Sequence, residues 1–148
     1  RYFPDRVAVL QAVAARNLER VTQALRADLA KSAPATVNAA LRTALDTLTR
    51  FFREEPGFRS LRVGDVLDIR PLAGSRGGNA EIAAVIKDYL HDAHGLRLDS
   101  AGRVAIETAV DVVDALLGRA FMHSDRGEST VLSEAHRVSQ CIVQEFTT

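Results

Sequence analysis

The sequence has very little sulfur and few aromatic side chains. Of its 148 residues, one is cysteine, one is methionine, none is tryptophan, six are phenylalanine and two are tyrosine. A single cysteine excludes a disulfide within the chain and a zinc site built from several thiolates. With so few aromatic residues, the core must consist mainly of alanine, leucine and valine, and alanine-rich packing favours helices.

The chain also lacks a net charge and a long apolar run. Lysine plus arginine and aspartate plus glutamate number 19 each, so the chain exerts no general attraction on nucleic acid or an anionic membrane. No apolar stretch is long enough to span a bilayer and no secretory signal is visible, so we expect no membrane association and a cytoplasmic location. A hydrophobic content of 47% is typical of a globular chain, and the length fits one domain.

Apolar residues recur at three- and four-residue steps through most of the chain. This period predicts an all-α fold of about six helices, with no convincing strand. Helix starts are expected at capping residues or proline: Asp5, Pro34, Asn79, Asp99 or Ser100, and Glu128 or Ser129. Helix ends are expected near residues 30–32, at 55–57, at Gly95 and at the turn 124–127. The segment from Gly64 to Gly78 has no helical period and is predicted to be a surface loop.

The predicted helix between Asp99 and Met122 is apolar over more than half of its circumference, so it must be covered on two sides. A domain of this size covers one side with its own helices, and the other side requires a partner. The last helix is also apolar along one face. Two such helices in succession predict a homodimer formed through a four-helix bundle. The expected interface residues are Ile106, Val110, Val113, Leu117, Leu132, Ala135, Val138 and Ile142.

The first ten residues carry a more specific pattern. Tyr2, Phe3 and Pro4 are followed by the basic Arg6 and the apolar Leu10. This pattern resembles the end of the DNA-binding domain in the tetracycline-repressor (TetR) family of bacterial transcription regulators. There, an aromatic–proline stretch closes the recognition helix, and a basic residue and an apolar helix lead into the regulatory domain. The all-helical body and the two C-terminal helices resemble the family as well.

The resemblance implies a domain organisation and partners. Residues 1–5 would be the remnant of a DNA-binding domain, whose helix-turn-helix is expected upstream of Arg1, and residues 6–148 a ligand-binding and dimerisation domain. Operator DNA would bind through the N-terminal domain, an unidentified small molecule would act as effector, and no cofactor or enzymatic activity is expected. Tyr2 and Arg6 would contact DNA phosphates, because a helix N-terminus and an arginine both attract anions. The alternative is that Arg6 is a solvated residue.

An effector pocket implied by the resemblance would be lined by apolar and aromatic side chains with a few polar groups. The candidate residues are Leu48, Phe52, Phe58, Leu61, Tyr89 and Asp111. Ordinary core packing is the alternative for each of them. For Asp111, the alternative is a solvated acidic band with Glu107 and Asp114, paired with Arg103.

Other residues of functional type have simpler explanations. His91 and His94 have a spacing compatible with a metal site, but the helix dipole already explains histidine near a helix C-terminus. Cys141 is expected to be a buried, inert thiol. No catalytic motif is legible.

We therefore interpret the chain as the sensing and dimerisation part of a TetR-like regulator, expected to be a repressor. The alternatives are a helical scaffold module without a DNA role and a helical enzyme using the two histidines and the acidic band.

Overall fold

The structure is a computed structural model that describes residues 2–63 and 78–146. Within those two ranges it is all-α and contains no strand, which confirms the predicted fold class. The helices are α1 (Tyr2–Ser32), α2 (Val37–Glu54), α3 (Pro56–Val63), α4 (Gly78–His94), α5 (Ser100–Ala120) and α6 (Ser129–Val143), followed by a 3-10 turn at Gln144–Phe146. The loop predicted for 64–78 lies outside the described residues except at its last position.

Helix α2 lies at the centre of the fold and packs against every other α-helix. Helices α5 and α6 pack along each other as an antiparallel pair, and α4 packs against α5 on another side. The largest fully buried apolar side chains are Val21, Leu25, Leu29, Phe52, Ile82, Ile86, Leu90, Ile106, Leu117 and Val143. These side chains come from five of the helices listed above, so they form one core.

Three helix starts differ from those predicted. Helix α1 begins at Tyr2 rather than Asp5, because Pro4 lies in the first turn, where backbone N–H groups have no acceptor within the helix. Helix α2 begins at Val37 rather than Pro34, and the Thr36 hydroxyl caps it by accepting a hydrogen bond from the backbone N–H of Ala39 at 3.1 Å. Helix α4 begins one residue before Asn79, whose side chain then makes tertiary contacts instead of a cap.

The remaining turn signals are confirmed. The Asp99 carboxylate caps α5 by accepting a hydrogen bond from the backbone N–H of Gly102 at 2.7 Å. Gly95 has a φ of +63° directly after α4, and Gly127 has a φ of +80° in the turn before α6. Glycine adopts this left-handed conformation without steric cost, so these two residues end the helix and form the turn as expected.

Helix α1 has 31 residues and is much longer than α2, which has 18 and packs against it. Arg20 forms an ion pair with Glu55, the residue that follows α2. The part of α1 that lies alongside α2 therefore begins near Arg20. No side chain before Val21 is buried among those described, and Val9 and Val13 are 61% and 40% exposed. Among the described residues, the first half of α1 therefore contributes no fully buried side chain to the core, although Leu10 and Ala14 are half-buried.

Candidate functional site

Three of the predicted pocket residues lie together in the core. Leu48, Phe52 and Phe58 are all buried, and the rings of Phe52 and Phe58 meet edge to face with centroids 5.4 Å apart. The Phe121 ring, at the end of α5, lies 5.1 Å from Phe52, and Phe51 lies 5.5 Å from Phe58. This aromatic cluster joins α2, α3 and the end of α5, and such ring pairs stabilise a core beyond the area they bury.

The aromatic cluster is close to the middle of α1. The guanidinium of Arg20 lies 5.9 Å from the centre of the Phe51 ring and also pairs with Glu55. Helix α3, which carries Phe58, contacts α1 directly. The aromatic cluster and α1 are therefore linked by two neighbouring contacts. The candidate Leu61 belongs to α3, but its side chain lies outside the described part of the structure.

Tyr89 is half-buried, and its polar end is already bonded. Its hydroxyl donates to the backbone carbonyl oxygen of Pro34 at 3.1 Å, and Nε2 of His94 lies 2.7 Å from the same oxygen. The two rings meet edge to face at 5.8 Å. Both side chains therefore hold the turn between α1 and α2 against the end of α4. Ala33 in that turn has a φ of +46°, a conformation that L-residues other than glycine rarely adopt.

Asp111 lies at the surface rather than in the interior. Nδ2 of Asn79 donates to carboxylate oxygens of Asp111 and Asp114, at 3.0 and 3.3 Å. Glu107 of the same band forms an ion pair with Lys87 at 2.6 Å. Arg103 does not pair with this band in the described contacts and donates instead to the backbone of the α4–α5 connection. The acidic band therefore ties α5 to α4, with Asp111 accessible to solvent.

The structure separates the eight expected interface residues into two groups. Ile106, Val110, Val113 and Leu117 are at most 4% exposed in the single chain, since its own helices cover this row of α5. Ala135 of α6 is also buried. The half-buried members, which a second copy can reach, are Leu132, Val138 and Ile142.

The open faces of α5 and α6 carry further apolar residues. Val104 and Met122 are 59% and 56% exposed, and Ala115 on the same side of α5 is exposed as well.

Cys141 is exposed, so the prediction of a buried thiol is wrong. The buried residues of α6 recur every four positions through 135, 139 and 143, and residue 141 lies midway between two of them, on the outer side.

A polar contact between α1 and α2 had no counterpart in the sequence analysis. The Thr47 hydroxyl donates to the Asp28 carboxylate at 2.6 Å, and the Arg50 guanidinium donates to it at 2.9 Å. Partial burial opposes ionisation of Asp28, but these two hydrogen bonds and the charge of Arg50 outweigh it, so the pKa of Asp28 falls below its ordinary value. Asp28 and Thr47 are separated by nineteen positions, beyond any local pattern.

The two expected DNA-contact residues lie in the first two turns of α1. The side chain of Arg6 is exposed, whereas that of Tyr2 lies outside the described part. The predicted boundary between residues 5 and 6 falls within this continuous helix.

Within residues 2–63 and 78–146, no group of three or more potential metal ligands occurs. No helix in the same ranges has the length and apolar character needed to span a membrane.

Comparison with known proteins shows which family has this architecture. Residues 35–141 match the family model described as "Tetracyclin repressor-like, C-terminal domain". The structure is similar to the crystal structure of a TetR-family transcriptional regulator from Streptomyces coelicolor, with a TM-score of 0.68 and 24% sequence identity. That match covers 92% of this chain and 69% of the other. No curated protein sequence matches the chain.

Proposed function

The chain belongs to the TetR family, in which it matches the C-terminal domain, and from this premise we propose that it is the effector-sensing and homodimerisation part of a transcriptional repressor. The observation that carries the proposal is the family match over residues 35–141. Residues 6–148 would form this regulatory domain, and residues 1–5 would be the end of a DNA-binding domain.

The proposed dimer forms through α5 and α6. These helices are an antiparallel pair at one side of the body, and two such pairs make a four-helix bundle across a two-fold axis. Because Ile106, Val110, Val113 and Leu117 lie in the chain's own core, they support the interface from behind. The residues proposed to touch the partner are the outward ones: Val104, Ala115, Leu132, Val138 and Ile142.

The proposed effector site lies around the aromatic cluster of α2, α3 and α5, with Leu48, Phe52, Phe58 and Leu61 as its apolar lining. The described rings pack against one another, so an effector entering there must displace at least one of them. Helix α3 contacts α1, and Phe51 lies beside Arg20 of α1. In this proposal, displacement of a ring therefore changes the direction of α1. The proposed site does not include Tyr89 or Asp111, because the Tyr89 hydroxyl is bonded to Pro34 at the other end of α2 and Asp111 is exposed and bonded to Asn79.

The proposed output is a change in the position of Tyr2 and Arg6, which would contact operator phosphates at the start of α1. A helix N-terminus attracts an anion, and an arginine binds a phosphate through two hydrogen bonds. An effector shifts the equilibrium between two α1 directions only by its difference in affinity for them. Effector and operator binding are then reciprocally coupled.

The test uses the regulator with the residues encoded upstream of Arg1. Operator affinity is measured with and without each member of a small-molecule panel, and ligand affinity is measured with and without operator. We expect ligands of the helical domain to weaken operator binding, with an equal reciprocal loss of ligand affinity. Tight ligands that leave operator affinity unchanged would contradict the sensing mechanism. Failure of the longer protein to bind DNA would favour a scaffold module.

A further inference from the structure

A cleft opens at the end of the body where α4 leads into α5. It has a volume of about 360 Å³ and is lined by the side chains of the last turns of α4, the connection 95–99 and the first turn of α5. This is the end of the molecule that holds the α1–α2 turn, because His94 bonds to Pro34 there. The aromatic cluster lies at the opposite end of α2, so this α4–α5 cleft is separate from the proposed effector site.

The polar side chains of the cleft are mainly cationic. Lys87, Arg97 and Arg103 carry positive charges, His91 is a fourth nitrogen-bearing group, and Asp88 is the only carboxylate among the lining residues. The whole chain has no net charge, so this is a local concentration of positive groups.

Not all of these cations are neutralised by the protein itself. Lys87 is paired with Glu107 at 2.6 Å. Arg103 donates one guanidinium N–H to the backbone carbonyl of Leu98 at 3.0 Å, which orients the side chain and leaves its other donors available. Arg97 is exposed and makes no hydrogen bond or ion pair within the part of the chain that the structure describes.

The cleft also has an apolar surface. Leu96 and Leu98 line it, and both are only partly buried while packing against the main core. They line the same cleft as the two guanidiniums, so a single small molecule of sufficient length can contact both kinds of surface. The cleft is shallow and open, so a ligand bound there would keep part of its surface in water.

We propose that the α4–α5 cleft binds a small amphiphilic carboxylic acid. Arg97 and Arg103 bind its carboxylate through the guanidinium forks, which match that group's geometry. Leu96 and Leu98 contact its hydrocarbon part. Asp88 repels a second negative charge, which favours a monoanion over a polyanion. This inference does not depend on the proposed repressor function, because it concerns binding to the isolated chain.

The experiment titrates the ¹⁵N-labelled chain with octanoate and follows backbone amide shifts. We expect saturable shifts at residues 96–98 and in the first turn of α5. Octanol, which has the same hydrocarbon chain without the charge, and inorganic phosphate, which has charge without the chain, should both bind more weakly. Shifts confined to other regions, or equal binding of octanol or phosphate, would overturn the proposal.

Matched variants test the assigned charges. Arg97→Gln should weaken octanoate binding about tenfold, since a hydrogen bond to a charged group is removed. Arg26→Gln is the control, because Arg26 is an exposed arginine on α1 that also lacks a partner among the described residues. Asp88→Asn should tighten octanoate binding. An unchanged dissociation constant in Arg97→Gln, or weaker binding in Asp88→Asn, would contradict the assignment.

Discussion

The hydroxyl of Tyr89 and the backbone carbonyl oxygen of Pro34 are 3.1 Å apart, and this hydrogen bond fastens the α1–α2 turn to α4. His94 supports the same carbonyl from one turn further along α4. Pro34 is buried, so its oxygen would lose hydrogen-bonding partners if both side chains were removed. Helix α1 is therefore held at its C-terminal end by specific polar contacts, whereas no described side chain of its first half is fully buried.

Replacing Tyr89 with phenylalanine removes this hydrogen bond and keeps the ring. We expect Tyr89→Phe to lower the free energy of unfolding by about 1 kcal/mol, measured by urea denaturation. His94→Asn should have an effect of the same sign. His91→Asn is the control, because His91 is exposed and three residues away on the same helix. If Tyr89→Phe unfolds at the same urea concentration as the parent chain, the hydrogen bond does not stabilise the fold.

The Asp28 carboxylate predicts a pH-dependent contribution to stability. The pKa of Asp28 is lower in the folded chain than in the unfolded chain. The ionised carboxylate therefore stabilises the fold fully at pH values above the ordinary aspartate pKa of about 3.9. This stabilisation is lost as the pH falls through the lower, folded-state pKa. Asp28→Asn should lower the free energy of unfolding by about 1 kcal/mol at pH 7. The difference should shrink steadily under acid.

Urea denaturation at pH 7 and at several acidic pH values measures this difference. Asp46→Asn is the matched control, since Asp46 is an exposed aspartate on α2 with no partner among the described residues. A constant difference between Asp28→Asn and the parent chain at all pH values would show that the loss comes from packing instead of charge.

The dimer proposal predicts different effects for outward and inward residues of α5. Ala115→Arg places a charge on the open face and should convert the dimer to a folded monomer, detected by light scattering and circular dichroism. Ala27→Arg, at an exposed alanine of α1, should leave the dimer intact. Leu117→Arg should instead unfold the chain, because Leu117 is fully buried. A folded dimer of Ala115→Arg would mean that the partner binds another face.

Two glycines with different surroundings give a matched test of the α5–α6 turn. A Cβ at Gly127 would lie 2.8 Å from Cζ of the buried Phe121, and the φ of +80° adds strain. Gly127→Ala should therefore lower the free energy of unfolding by about 1–3 kcal/mol. At Gly118, within α5, a Cβ would have no neighbour within 4 Å. Gly118→Ala should stabilise the chain by about 0.5–1 kcal/mol, measured by thermal unfolding. Stabilisation by Gly127→Ala would show that the turn adjusts freely.

Features set by neighbouring residues were predictable from the sequence. Asp99 caps α5 and Gly95 ends α4, since a cap and a left-handed turn depend on residues within a few positions. The start of α2 was misplaced because Pro34 and Thr36 are both typical of helix starts, and only the hydrogen bond to Ala39 distinguishes them.

Features set by packing were not predictable. The helical period places Val113 and Leu117 on one face of α5, but it does not say whether the chain itself or a partner covers that face. The α4–α5 cleft has no signature in the sequence for a similar reason, because Lys87, Arg97 and Arg103 come from two helices and their connection. No spacing rule relates such positions before the fold is known.

In the proposed mechanism, the first half of α1 would act as a lever arm. From Arg20 to Tyr2 the helix extends roughly 27 Å, at 1.5 Å per residue. With Arg20, beside Phe51 and Glu55, as the pivot, a tilt of about 5° would move the tip by roughly 2.4 Å, a little under half a helical turn. Under that proposal, a rearrangement too small to disturb the core would be magnified at the far end of α1, in proportion to the length of the helix.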